Sequence, residues 1–403
     1  MNQTGLDARP STKRELGTFA AYGVSFISLG LSMAVLGPML PYLADHLSVS
    51  FGQISFLFTA NNLGYLIGSS GGGRLFDRFD SHKIMILSLA LMVAMGILIP
   101  LVSRFVLMLV VMFFFGLGQG ALDVGANVNV LWLFQKRVGP YMNALHFFFG
   151  LGAFLSPILV TQVMNLAGGA LTWPFWAITF LFLPGLIVLF FFPSPQNPEK
   201  AAPSEATQKS SLPLIILMIV LFFLYVGTEI GFGGWIFTYA LEAGVANETM
   251  ASFMNSFFWG ALTLGRLISI PLARKLRPSR LLIGNFAGMV LFFVVILIWP
   301  DAPAAIWIGS AGLGLAMSSV FPTLLSLGES RLKITGTVTG LFYLGGSLGS
   351  TLIPMLLGQI FDYVGSYQVM LTLFGLSVLG LIVLAALLLS SKRLGEKERS
   401  PSI

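Results

Sequence analysis

The chain has 403 residues, 56% hydrophobic and only 9% charged, with a formal net charge of +6 and a mean hydropathy of +0.88. An average soluble domain carries roughly 25% charged residues, so no water-soluble fold could hide this much apolar surface and the solvent must be lipid. The absence of Cys excludes disulfides, thiolate metal centres and cysteine nucleophiles, and 3 His leave little room for a histidine metal site.

Runs of about 20 apolar residues predict an all-α membrane protein of twelve spanning helices. Their limits are 18–45, 52–73, 83–103, 105–134, 138–165, 171–193, 213–243, 249–273, 280–299, 303–328, 334–361 and 365–390. Pro100 and Arg104 split the nearly continuous third and fourth runs. The first run is too long for a signal-peptide core and lacks a cleavage site, so it is expected to be retained. Barrel strands would need only about 10 alternating residues each.

Twelve crossings return the C-terminus to the face of the N-terminus. That face receives every Lys and Arg except Arg104, on the opposite side, and Arg266, inside a span. The positive-inside rule makes it cytoplasmic. The net charge is then explained without nucleic acid. The expected location is the plasma membrane, the inner membrane if the short loops mark a prokaryotic chain. A monomer in the bilayer is expected.

The stretch 194–212 is rich in Pro, Ser and charge without an apolar period, and predicts a flexible cytoplasmic linker. It divides the chain into an N-terminal six-helix bundle, 1–193, and a C-terminal one, 213–403. The halves align at one constant offset. Gly139 matches Gly336, Gly152 matches Gly349, Pro157 matches Pro354 and Gln162 matches Gln359. Residues 73–83, GRLFDRFDSHK, follow span two with Gly73, Asp77, Arg78 and Lys83 in a spacing similar to the major facilitator signature. Asp80 stands there for the usual Gly and Ser81 for an Arg. Asp77 and Arg78 would form a charged gating latch. A parallel six-plus-six repeat of this kind places a solute site near mid-membrane between pseudo-symmetric halves.

Two stretches carry a narrower resemblance. Residues 118–157 contain GQGALDVGANVNVLWLFQ and NALHFFFGLGAFLSP, and 253–278 read FMNSFFWGALTLGRLISIPLARKLRP. With GLSMAVLGP at 30–38 and QISFLF at 53–58, the chain resembles the sodium-dependent glucose transporter group and, more distantly, the L-fucose–proton symporters. The resemblance runs along nearly the whole chain and implies cation-coupled uptake of a monosaccharide-type solute. Fucose symporters carry an acid in the first span where Gly37 stands here, before Pro38. A proton mechanism using two acids in the first half therefore does not carry over, whereas Gly-Pro matches the glucose-transporter branch.

Two acids lie well inside spans, Asp123 and Glu229. Both fall roughly 25 Å along helices about 45 Å long. Intramembrane carboxyls face a cavity, pair, or take up a proton, so both are candidate coupling residues, for H⁺ if protonated or for Na⁺ if ionised. Gln119 and Asn127 lie one turn either side of Asp123 on the same face, while Asn129 points elsewhere. Asn143 and His146 share a face of span five. Glu229 lies in GTEIGFGGW, whose glycines predict either a broken helix beside a site or close helix packing. Arg266 either snorkels or pairs with an acid such as Asp123, as a gate.

Sugar hydroxyls need amide and carboxylate partners, and indole rings cover the apolar face of a pyranose. Asn61, Asn62, Gln119, Asn127, Asn143, His146, Trp235, Asn255 and Trp259 are the candidate solute-binding residues. Each could instead serve helix packing, and Trp235 could anchor at the membrane interface.

A membrane enzyme would need a convergent nucleophile–base or metal group, which the scattered His do not supply. A receptor would usually carry a sizeable domain outside the membrane. No Gly-rich loop ending in Gly-Lys-Ser or Gly-Lys-Thr is present, so energy must come from an ion gradient or from the solute's own. The expectation is a secondary active sugar symporter needing no cofactor beyond Na⁺ or H⁺. The alternative is a proton-antiporting exporter of a drug-like or other small metabolite.

Overall fold

The computed structural model describes residues 12–76, 79–195, 212–331 and 336–397, and every regular element among them is helical. The first crossing is α1 (Lys13–Ala34) with α2 (Leu36–Leu47), and the second is α3 (Phe51–Ile54) with α4 (Phe56–Phe76). Then come α5 (Ser81–Leu98), α6 (Phe105–Phe134), α7 (Val138–Leu166), and α8 (Thr172–Phe180) with α9 (Leu183–Val188). The second six crossings are α10 (Leu212–Glu242), α11 (Glu248–Lys275), α12 (Pro278–Ile298), α13 (Pro303–Met317) with α14 (Val320–Arg331), α15 (Gly336–Tyr363) and α16 (Ser366–Lys397).

Among the described residues, 11 of these crossings are long and apolar enough to span a membrane by length and composition. The second crossing falls short because Thr59, Asn61, Asn62, Ser69, Ser70 and a run of Gly dilute α4. Asn61 and Asn62 among them line the site described below.

Local signals set the ends and breaks. Thr12 caps α1 through a reciprocal pair of bonds with Glu15, at 3.1 and 2.8 Å. The first crossing breaks at Val35 because Pro38 has no N–H to offer the Ala34 carbonyl. Ser48, at φ 53°, turns the chain after α2, and Ser50 caps α3 with Gln53 in a second capping box. The break considered for GTEIGFGGW does not occur: α10 runs unbroken through it. Its glycines admit neighbours instead, Gly231 beside Leu357, Gly233 beside Trp259 and Gly234 beside Phe58.

The helices before residue 195 pack chiefly on one another, α4 on α6 and α1 on α7; those after 212 do the same, α10 on α15 and α11 on α13. The two groups meet where α7 lies on α11, α2 on α10, and α3 and α4 on α15. Residues 196–211, most of the expected linker, lie outside the described residues, as do Asp77 and Arg78 of the expected latch.

One close approach positions the site. A Cβ on Gly64 or Gly68 would fall on the backbone carbonyls of Phe113 and Leu117, and one on Gly116 or Gly120 would fall on those of Asn61 and Tyr65. Small residues on both helices thus let the α4 and α6 backbones touch. That contact brings Tyr65 alongside the middle of α6.

Candidate solute and coupling site

A cavity of about 960 Å³ lies between the two groups of helices, at the large end of the range for small-molecule sites. Ala273, Leu276, Pro278, Leu281 and Ser326 line one end of it, near the ends of α11, α12 and α14 on the face that carries the termini. The cavity opens toward that face.

The opposite face is sealed. Gly52 N–H donates to Asp362 Oδ2 at 2.7 Å, and Gln359 Nε2 donates to Gly52 O at 2.7 Å. Ser55 Oγ reaches Met355 O at 3.1 Å and Asn62 Nδ2 reaches Ser350 O at 2.8 Å. Trp235 stacks on Phe361 at 5.3 Å, with Phe51 and Phe58 each 6.2 Å away. A side chain on Gly52 would meet Asp362 and Gln359 at 2.6 and 2.9 Å, so this latch needs Gly there.

In the first half, Asp123 on α6 lines the cavity. Tyr65 OH donates to Asp123 Oδ2. Asn127 Nδ2 donates to Asp123 Oδ1 and to the Asp123 carbonyl, both at 2.9 Å. The carbonyl can only accept, which fixes the Asn127 amide orientation. Both oxygens of Asp123 therefore accept from neutral donors. No ion pair to Asp123 occurs among the described residues. Tyr343, from α15 of the second half, lines the same cavity within electrostatic reach of Asp123.

In the second half, Glu229 is 8% exposed and lies 3.8 Å from Arg266 Nη2. Arg266 therefore pairs with Glu229 on the neighbouring helix, not with Asp123. The contact is an ion pair without a hydrogen bond, since 3.8 Å is beyond donor–acceptor range. The Tyr225 hydroxyl stands between the Glu229 carboxylate and the Met317 carbonyl, which lies 3.0 Å away. Across the interface, Arg266 faces His146 on α7.

Asn61, Asn62, Asn127, Asn143, His146, Trp259, Asp123, Glu229 and Arg266 all line the cavity. Three expected solute-binding residues do not. Gln119 is buried behind the wall, donating to Ser32 Oγ and accepting from Asn61 Nδ2, each at 3.0 Å. Trp235 is fully buried in the sealed end, its indole N–H donating to Pro354 O at 3.0 Å. Asn255 is fully buried with Nδ2 on Gly233 O at 2.8 Å. Shared helical face thus misplaced Gln119, whose partners lie on α1 and α4. Asn129 points away as expected, bonded to Ser81 and Gly125. Tyr65 and Tyr343 were not anticipated. Tyr65 had a usable signal, standing four residues after Asn61 on the same helical face; Tyr343 had none, because only the tertiary fold brings it to Asp123.

Two groups of six crossings around a central cavity that holds two carboxyls and a guanidinium, open on one side and latched on the other, are the build of a membrane solute transporter. Residues 22–354 match the Major Facilitator Superfamily, and the chain belongs to that superfamily of transporters, which are not enzymes. It is 30% identical to human Sodium-dependent glucose transporter 1 over 370 residues, covering 83% of this chain and 71% of the human protein. It is 29% identical to mouse Sodium-dependent glucose transporter 1A over 370 residues, with 83% and 87% covered. Two solved structures share the fold at 13% identity. The nucleoside transporter NupG superposes with a TM-score of 0.75 over 92% of this chain and 99% of NupG. A bacterial homologue of the human lysosomal transporter Spinster superposes at 0.70 over 98% of this chain and 100% of that one.

Proposed function

We propose that this transporter takes up a monosaccharide-type solute by alternating access, coupled to a cation that binds at Asp123. The observation that carries the proposal is a cavity-lining carboxylate held only by neutral donors. Glu229 and Arg266 cancel, so Asp123, when ionised, leaves the cavity with one uncompensated negative charge. A cation would supply the missing charge, since a bare intramembrane carboxylate is costly. Tyr65 and Asn127 add oxygen atoms suited to a hard ion such as Na⁺; a proton would serve the same charge balance. The names of the similar glucose transporters support a sugar and Na⁺. The amide-rich wall of Asn61, Asn62, Asn127 and Asn143 suits a hydroxylated solute. The basic residues clustered on the face with the termini support placing it on the cytoplasmic side of a plasma membrane, so the state seen here is inward-open.

The test is labelled D-glucose uptake into proteoliposomes under an imposed Na⁺ or H⁺ gradient, with Asp123→Asn beside wild type. Accumulation driven by Na⁺ in wild type, with mere equilibration in the variant, supports the proposal. Acceleration by a pH gradient alone moves the coupling ion to H⁺. Failure of wild type to move glucose under either gradient refutes the sugar assignment.

A further inference from the structure

Among the described residues five buried side-chain atoms have no hydrogen-bond partner, Thr238 Oγ1, Asn255 Oδ1, Ser256 Oγ, Trp259 Nε1 and Ser310 Oγ. Two of them, Asn255 Oδ1 and Trp259 Nε1, lie beside the cavity wall that Trp259 forms. They stand one helical turn apart on α11, about 10 Å (Asn255) and about 17 Å (Trp259) from its outer end by helical rise. Asn255 is 0% and Trp259 6% exposed. Reversing the Asn255 amide does not help, because its nitrogen faces the Gly233 carbonyl, which can only accept. The indole N–H can only donate. The pair is one acceptor and one donor, both unmet, in a protein class where buried polar groups are normally satisfied.

What covers them comes from the other half. A Cβ on Gly37 of α2 would stand 2.9 Å from Gly233 O and 3.3 Å from Asn255 Nδ2. Gly233 in turn leaves room for the Trp259 ring, 2.7 Å from where its own Cβ would lie. Tyr42 on α2 packs against Phe237 at 6.5 Å. Trp259 also touches the cavity, so the pair sits at the boundary between cavity and seal. A hydroxyl group accepts and donates at once. A solute hydroxyl can therefore satisfy an amide oxygen and an indole N–H together.

We infer that Asn255 Oδ1 and Trp259 Nε1–H form a subsite for a solute hydroxyl, covered by α2 in this state and uncovered toward the opposite face when the α2–α10 contact opens. The inference rests on the proposal that the solute is a sugar. Solute entering from that face would meet the two unpartnered atoms first. Binding there would favour the state in which Gly37 has moved away.

The chain has no Cys, so Asn255→Cys provides a single thiol. In sealed vesicles, a membrane-impermeant maleimide should label it from the face opposite the termini, and D-glucose should slow labelling severalfold. Labelling from neither face, or from the terminal face alone, overturns the inference. Because that variant loses the Gly233 bond, Trp259→Phe, which keeps an aromatic side chain but removes the N–H, is the second arm. It should raise the glucose KM about tenfold with kcat little changed. The monodeoxyglucose that wild type handles worst should then be no worse than glucose. An unchanged KM, or a further loss with every deoxy analogue, overturns the subsite. If wild type moves no glucose, the sugar proposal alone falls. Labelling from the opposite face, slowed by another hydroxylated solute, then supports the subsite, and labelling that no such solute slows overturns it.

Discussion

The two intramembrane carboxylates line one cavity and are held in opposite ways. Glu229 has its own cation, Arg266, from the next helix of the same half. Asp123 has a phenol and an amide. A carboxylate with a resident guanidinium is balanced before anything binds, whereas one with neutral donors waits for a cation. Under the proposed function, this difference would assign coupling to the first half and leave the second half a fixed charge pair.

The sharpest way to break this comparison is to neutralise each acid in turn. One elementary charge crossing 100 mV supplies about 2.3 kcal/mol, enough for roughly fiftyfold accumulation. Asp123→Asn should abolish that accumulation, while Glu229→Gln should keep most of it, read as steady-state solute ratios in proteoliposomes. Equal loss in both variants would erase the distinction. Next, Arg266→Gln strands Glu229. Removing one partner of a buried pair costs about 3–5 kcal/mol, but the 30% exposed Arg266 side chain and the 3.8 Å contact reduce this to roughly 1–3 kcal/mol. Thermal melting in detergent should show the drop, and adding Glu229→Gln should recover most of it. Smaller again, Tyr65→Phe removes one donor to the carboxylate and should weaken cation activation about tenfold without uncoupling. Smallest, Asp362→Ala frees Gly52 N–H and should shift the population toward the outward-open state by roughly fivefold. Thiol labelling on the outer half of α11 would report it.

Much of the fold was legible because lipid imposes length and polarity rules that a linear pattern obeys. The expected span 105–134 coincides with α6, and the other limits differ from the helices by a few residues at most ends. The site was legible only in part. Intramembrane charge singled out Asp123, Glu229 and Arg266, since such residues are rare in spans. Which acid Arg266 meets depends on helix neighbours, and α11 lies against α10. Gln119 and Trp235 looked like binding residues by type, yet their partners, Ser32 and Pro354, come from distant segments and turn them into packing residues. The unbroken α10 shows the same limit: Gly-rich sequence reads alike whether it unwinds a helix or admits a neighbour.

The most direct measurement is solute-driven cation entry. A glucose gradient is imposed on proteoliposomes at zero membrane potential, and radiosodium uptake or internal acidification is followed. The account predicts glucose-dependent cation entry in wild type and Glu229→Gln and none in Asp123→Asn. Cation entry that persists with glucose in Asp123→Asn would contradict it.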